Sequence, residues 1–141
     1  RALLDGDVSL AAQLLGYEYS LTGDVVTGNK IGRNIGFPTA NLKPNSPHKL
    51  IPGQGVYASL AKIKGQVFKG MTNIGYRPTI DADHLTIEVN IFDFEQDIYN
   101  QEITLTLIRR IRNEKRFNSL GELQQQLGND KITAREMLAG Y

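Results

Sequence analysis

The densest run of residues with chemical potential lies at positions 28–41. Gly28, Gly32 and Gly36 recur at every fourth position, with Lys30 and Arg33 between them. Glycines let a backbone turn sharply and approach a ligand closely, and successive N–H groups in such a turn form a concavity for anions. Pro38 stiffens the exit, and Thr39 and Asn41 follow, two positions apart on one face of an extended chain. A hydroxyl and an amide carbonyl suit a hard cation such as Mg2+, which keeps most of its waters and takes further oxygens from phosphates. This chemistry points to phosphate binding, although a flexible hairpin loop would use the same residue types. It is not a Walker A loop, because the G-x-x-x-x-G-K-[ST] spacing is missing.

Three further segments carry polar groups. Glu88 lies mid-strand on the face opposite Leu85, Ile87, Val89 and Ile91. A carboxylate there either faces water, the simpler reading of its position, or serves as a general base for an attacking hydroxyl. Residues 73–79 (Asn-Ile-Gly-Tyr-Arg-Pro-Thr) echo residues 34–39 and read as a surface turn, or as a second loop of similar shape facing the same cleft. Residues 109–117 hold Arg109, Arg110, Arg112, Glu114 and Phe117; such a charge run reads as a solvated strand end and the Phe as core. Residues 53–58 match G-x-G-x-x-A, but that fingerprint works between a strand and a helix. Here Pro52 precedes it and an alternating strand follows. His48 and His84 have no partners at metal-ligand spacing.

These groups must be positioned by a chain of 141 residues, one domain's length. Hydrophobic residues make up 40% and charged residues 22%, a globular balance. A net charge of +1 is too weak to drive nucleic-acid binding. The absence of cysteine excludes disulfides, thiolate metal sites and a Cys nucleophile, and fits a reducing compartment. No apolar run approaches the roughly 20 residues a membrane span needs. The chain opens on Arg1 within a helical pattern, as a piece of something longer would.

Apolar periodicity predicts a helix over residues 2–16, with Asp7 as a cap inside it and Gly16 at its end. Period-two patterns predict strands over residues 19–27, 56–63, 67–74, 85–94 and 103–111, with 43–55 a loop. Ser119 and Glu122 form a capping box for a C-terminal helix, and Asp130 a cap for a last short helix through Leu138. Strands joined by short turns, with no crossover helices between them, predict a mainly β, antiparallel closed barrel with flanking N- and C-terminal α-helices.

In order along the chain, residues 28–41 (G-x-x-x-G-R-x-x-G-F-P-T-A-N), Gly55-Val-Tyr-Ala58, residues 73–79, Glu88 with Asp93-Phe94, residues 97–99 and residues 112–117 resemble one family closely. It is the riboflavin kinase module that forms the C-terminal half of the bacterial bifunctional riboflavin kinase/FAD synthetase (FMN adenylyltransferase). The resemblance runs from the first helix to the last. It implies a six-stranded Greek-key barrel and ATP-dependent, Mg2+-dependent phosphorylation of riboflavin to FMN.

By that resemblance Thr39 and Asn41 bind the metal, and Gly28, Lys30, Gly32, Arg33, Gly36, Pro38, Thr39 and Asn73 contact nucleotide phosphates. Glu88 is then the base for the 5′-hydroxyl, Arg112, Glu114 and Phe117 hold the flavin, and residues 28–36 and 73–79 are flaps. The resemblance further implies a helical connector at residues 1–16 from an absent N-terminal adenylyltransferase domain, with the kinase barrel at residues 17–141. A cytoplasmic, monomeric unit follows, with no nucleic-acid or membrane partner and no FAD synthesis of its own. The alternative from another class is a flavin- or nucleotide-binding barrel without catalysis.

Overall fold

A computed structural model describes residues 7, 19–26, 40–45, 53–78, 83–94, 101–113 and 117–141. The expected N-terminal helix and connector fall outside the described residues. The described strands are β1 (Ser20–Val26), β2 (Ala40–Pro44), β3 (Gly55–Ile63), β4 (Gln66–Pro78), β5 (Asp83–Ile91) and β6 (Glu102–Arg112). One helix, α1 (Leu120–Met137), follows them. The strands close into an antiparallel barrel in the order β1-β2-β5-β4-β3-β6, with β6 paired back onto β1.

Alternation puts one side-chain set inside this barrel. Leu21, Val25, Leu42, Tyr57, Ile74, Ile87, Val89, Ile103, Leu105 and Leu107 pack together there, each almost fully buried. Burying each such side chain contributes about 1.5–3 kcal/mol. Ser59 and Thr72 sit among them, and their hydroxyls satisfy each other at 2.8 Å. The β3–β4 hairpin turns on Lys64 and Gly65, both at positive φ (50° and 82°). Two such residues make the turn whose twist matches that of the flanking strands.

A second cluster lies outside the barrel, where Ala58, Met71 and Phe92 meet Ala134 of α1 and Leu138, its C-cap. The helix starts as its sequence predicts. The Ser119 hydroxyl accepts the Glu122 N–H at 3.1 Å, and the Glu122 carboxylate accepts the Asn118 N–H at 3.1 Å. In its last turn, Arg135 pairs at 3.1 Å with Asp93, in the turn after β5.

Three expectations need correcting. Lys43 and Pro44 belong to a strand, because β2 pairs with β1 through Gly23↔Pro44 and Asp24↔Lys43; an edge-compatible proline at the strand's end hides that pattern. Residues 73–78 are not a loop but the second half of β4, paired with β5 from Asn73↔Glu88 to Pro78↔Asp83. Asp130 does not cap a separate helix: it lies inside the continuous α1, and its carboxylate turns to the barrel instead. The G-x-G-x-x-A match leads into β3, as expected, and not into a helix.

Gly55, the first residue of β3, has φ +152°, and a Cβ there would lie 2.7 Å from Arg110 Nε and 2.8 Å from the Arg112 carbonyl oxygen. Strain and clash together set the expected result: Gly55→Ala destabilises the fold by roughly 1–3 kcal/mol, measured as a shift in the urea unfolding midpoint. An unchanged midpoint would show that β3 and β6 can part here without cost.

Candidate active site

The outward side chains of five neighbouring strands line up in one row. Asn41 on β2 pairs with Glu88 on β5, and Glu88 pairs with Asn73 on β4. Asn73 in turn faces Val56 on β3, and Val56 faces Arg112 on β6. Each flanking residue on β2, β5 and β4 (Leu42, Ile87, Val89 and Ile74) points into the barrel core, so this row lies on its outer wall. Neighbouring strands are about 4.8 Å apart, so Glu88 stands one step from each asparagine, whereas Arg112 is three strands away round the closed barrel.

Burial makes this row unusual. The side-chain oxygens Oδ1 of Asn41 and Asn73 are both buried and have no hydrogen-bond partner among the described residues. A buried acceptor without a donor costs about 1–3 kcal/mol. Two of them flanking one carboxylate form a set of hard oxygen donors, the kind Mg2+ takes alongside phosphate. Among the described residues no three His, Cys, Asp or Glu gather into a metal cage. Two amide oxygens and one carboxylate fit a hard cation only with further oxygens from elsewhere, such as phosphate.

At the other end of the row the Arg112 guanidinium is held in place. Its Nε donates to Asp130 Oδ1 and Oδ2 at 2.9 and 3.0 Å, and a terminal nitrogen donates to Oδ2 at 2.8 Å. The other terminal nitrogen donates to the Asn113 carbonyl at 2.9 Å. Asp130 is 2% exposed and also accepts from Gln126 Nε2 at 2.9 Å. The guanidinium carbon lies 5.8 Å from the centre of the Phe117 ring, within cation–π range. The charge run of residues 109–117 is thus not simply solvated at Arg112.

Beside it, Arg110 donates to the Gln54 carbonyl and keeps a buried Nε without a partner among the described residues. The Tyr57 hydroxyl donates to the Gly53 carbonyl; burial pushes its pKa above the ordinary phenol value, and the Arg110 charge partly opposes this.

Of the residues expected to act, Asn41, Asn73, Glu88, Arg112 and Phe117 are described, and the first four fall in this one row. Gly28, Lys30, Gly32, Arg33, Gly36, Pro38, Thr39 and Glu114 lie outside the described residues, as does His48. Asp130 and Gln126 were missed. The signal for Asp130 was present: with Ala134 and Leu138 it makes an i, i+4, i+8 stripe, so a carboxylate occupies the helix face that packs on the barrel.

Comparison with known proteins points the same way. Residues 15–138 match the family model described as Flavokinase, riboflavin kinase. The chain is 46% identical over 136 residues to the bifunctional riboflavin kinase/FMN adenylyltransferase of Bacillus subtilis, covering 94% of this chain and 43% of that protein. The corresponding protein of Escherichia coli K12 is 41% identical over 137 residues, covering 96% of this chain and 43% of its own length. The chain thus spans less than half the length of these curated relatives.

Among solved structures, one described as a macrolide-efflux protein from Streptococcus pneumoniae superposes with a TM-score of 0.90 at 40% identity, over 95% of this chain and 44% of that one. Riboflavin kinase from Trypanosoma brucei shares the fold, with a TM-score of 0.58 at 24% identity over 86% of this chain and 80% of its own. No helix among the described residues is long and apolar enough to cross a membrane.

Proposed function

Because the chain belongs to the riboflavin kinase family, we propose that it moves the γ-phosphoryl group of ATP onto the 5′-hydroxyl of riboflavin, giving FMN and ADP. The observation that carries this reading to individual residues is the row Asn41–Glu88–Asn73, a carboxylate between two asparagines whose buried Oδ1 atoms have no hydrogen-bond partner among the described residues. Arg112 lies on β6, three strands round the closed barrel from Glu88 on β5.

Phosphoryl transfer asks a protein mainly for alignment and charge stabilisation. In the proposed step the 5′-oxygen bonds to the γ-phosphorus while the bond to the β,γ-bridging oxygen breaks, and that electron pair leaves with ADP. Glu88 orients the hydroxyl and accepts its proton, which then passes to solvent. Asn41 and Asn73, together with Thr39, would hold Mg2+ beside the phosphates. That ion supplies neutralisation of the β- and γ-oxygens. Residues 28–36 cradle the phosphate chain with backbone N–H groups, aided by Lys30 and Arg33. Arg112, Glu114 and Phe117 grip the flavin ring.

The adenylyl transfer named for the relatives belongs, on this reading, to the part of those proteins that this chain does not match, with residues 1–16 as the connector. The chain alone would act as a cytoplasmic monomer. One chromatographic assay tests both halves of the proposal. Riboflavin with Mg-ATP is expected to give FMN and ADP in equal amounts, whereas FMN with Mg-ATP gives no FAD. A folded chain that makes no FMN removes the kinase reading, and appreciable FAD removes the single-activity reading.

A further inference from the structure

We propose that Asp130, on the C-terminal helix, is a positioning residue for the flavin site, acting only through Arg112. This inference rests on the kinase reading above.

The geometry is specific. Asp130 takes both Nε and a terminal nitrogen of Arg112, so the guanidinium plane is set by a fork and not by a point contact. Gln126, one turn earlier on α1, donates to Oδ1 and fixes the carboxylate in its own turn. The carboxylate is 2% exposed, so solvent competes little for it. The guanidinium so held faces Phe117 at 5.8 Å, and Phe117 and Arg112 are two of the residues read as gripping the flavin ring.

Helix docking does not by itself require this pair. Ala134 and Leu138 already bury the same helix face against Ala58, Met71 and Phe92. A charge placed at that face, taking three hydrogen bonds from one strand residue and one from its own helix, serves the strand residue. An arginine has four side-chain torsions to fix, and a bidentate partner removes most of that freedom before substrate arrives. The C-terminal helix thereby becomes part of the active site without touching substrate.

The test is riboflavin binding, followed by fluorescence quenching, with steady-state kinetics alongside. Asp130→Asn puts an amide N–H where the fork needs an acceptor. It is expected to weaken riboflavin binding by about tenfold while the KM for ATP stays within about twofold of the parent. In an Arg112→Ala background, adding Asp130→Asn is expected to change riboflavin affinity no further, because the residue has lost what it acts through. Leu138→Ala loosens the helix without touching the pair, and is expected to lower the melting temperature with riboflavin affinity held. Should Asp130→Asn fail to fold, Asp130→Glu keeps the charge, displaces the fork by one methylene and is expected to weaken binding in the same direction.

Riboflavin affinity within about twofold of the parent in a folded Asp130 variant overturns the proposal. So does an equal loss in Leu138→Ala, which would make the effect one of helix docking. A parent chain that binds riboflavin without making FMN defeats the kinase reading but leaves Asp130 to be decided by the same titrations. A parent that binds no flavin defeats both.

Discussion

Glu88→Gln is expected to lower kcat for FMN formation by about 10²–10⁴-fold while ATP still binds and the melting temperature barely moves. The substitution is nearly isosteric and its backbone stays in the middle of β5, between β2 and β4. What changes is the ability to take a proton. A glutamine can still orient the hydroxyl through its carbonyl oxygen, so binding of either substrate is expected to survive. The loss therefore belongs in kcat and not in the KM for ATP. Turnover near the parent's would strip Glu88 of its role as base. A large drop in melting temperature would instead assign it a structural role on the barrel wall.

Asn41→Ala is expected to raise the Mg2+ concentration needed for half-maximal activity by roughly 10- to 100-fold, the range for losing one interaction with a charged group. The same change has an opposite expected effect on the empty protein. Asn41 Oδ1 is a buried acceptor with no partner among the described residues, and removing such a group relieves a cost of about 1–3 kcal/mol. The ligand-free variant is therefore expected to melt no lower than the parent. Asn73→Ala follows the same two directions. A metal titration that does not move, or a fall in ligand-free stability, would turn these asparagines into ordinary structural residues. Opposed signs in one variant are hard to produce by general damage to the fold.

The barrel was legible wherever alternation is clean. Ile87, Val89 and Ile91 against Glu88 and Asn90 mark β5 without help, and Lys64-Gly65 marks the turn before β4. Legibility failed where local chemistry and tertiary pairing disagree. Asn73, Gly75 and Pro78 are turn-forming types, yet pairing with β5 carries the strand through all of them. Pro44 hid β2 in the same way. Glu88 was readable as a polar strand residue, but its placement between Asn41 and Asn73 depends on the register of three strands, which no local pattern encodes. Motif resemblance supplied those three residues by name; the adjacency and the buried oxygens come from the fold. Asp130 shows the converse failure: a capping residue type inside a helix looked like a boundary, because its distant partner Arg112 is invisible to a local rule.

Closure of the barrel has a consequence for how the chain acquires its structure. β1 must pair with β6 across a long stretch of sequence: the Thr22 and Thr104 hydroxyls that meet at 3.0 Å are 82 positions apart. Such non-local pairing makes folding slow and leaves strand edges open until the last partner arrives. During synthesis Asn41, Glu88 and Asn73 are in hand before β6 exists, but Arg112 and Asp130 emerge last. Nascent chains would pass through a period with a phosphate-side half-site and no flavin-side half. Flavin present at that stage could not template the barrel, whereas in the finished protein its binding would stabilise the folded state.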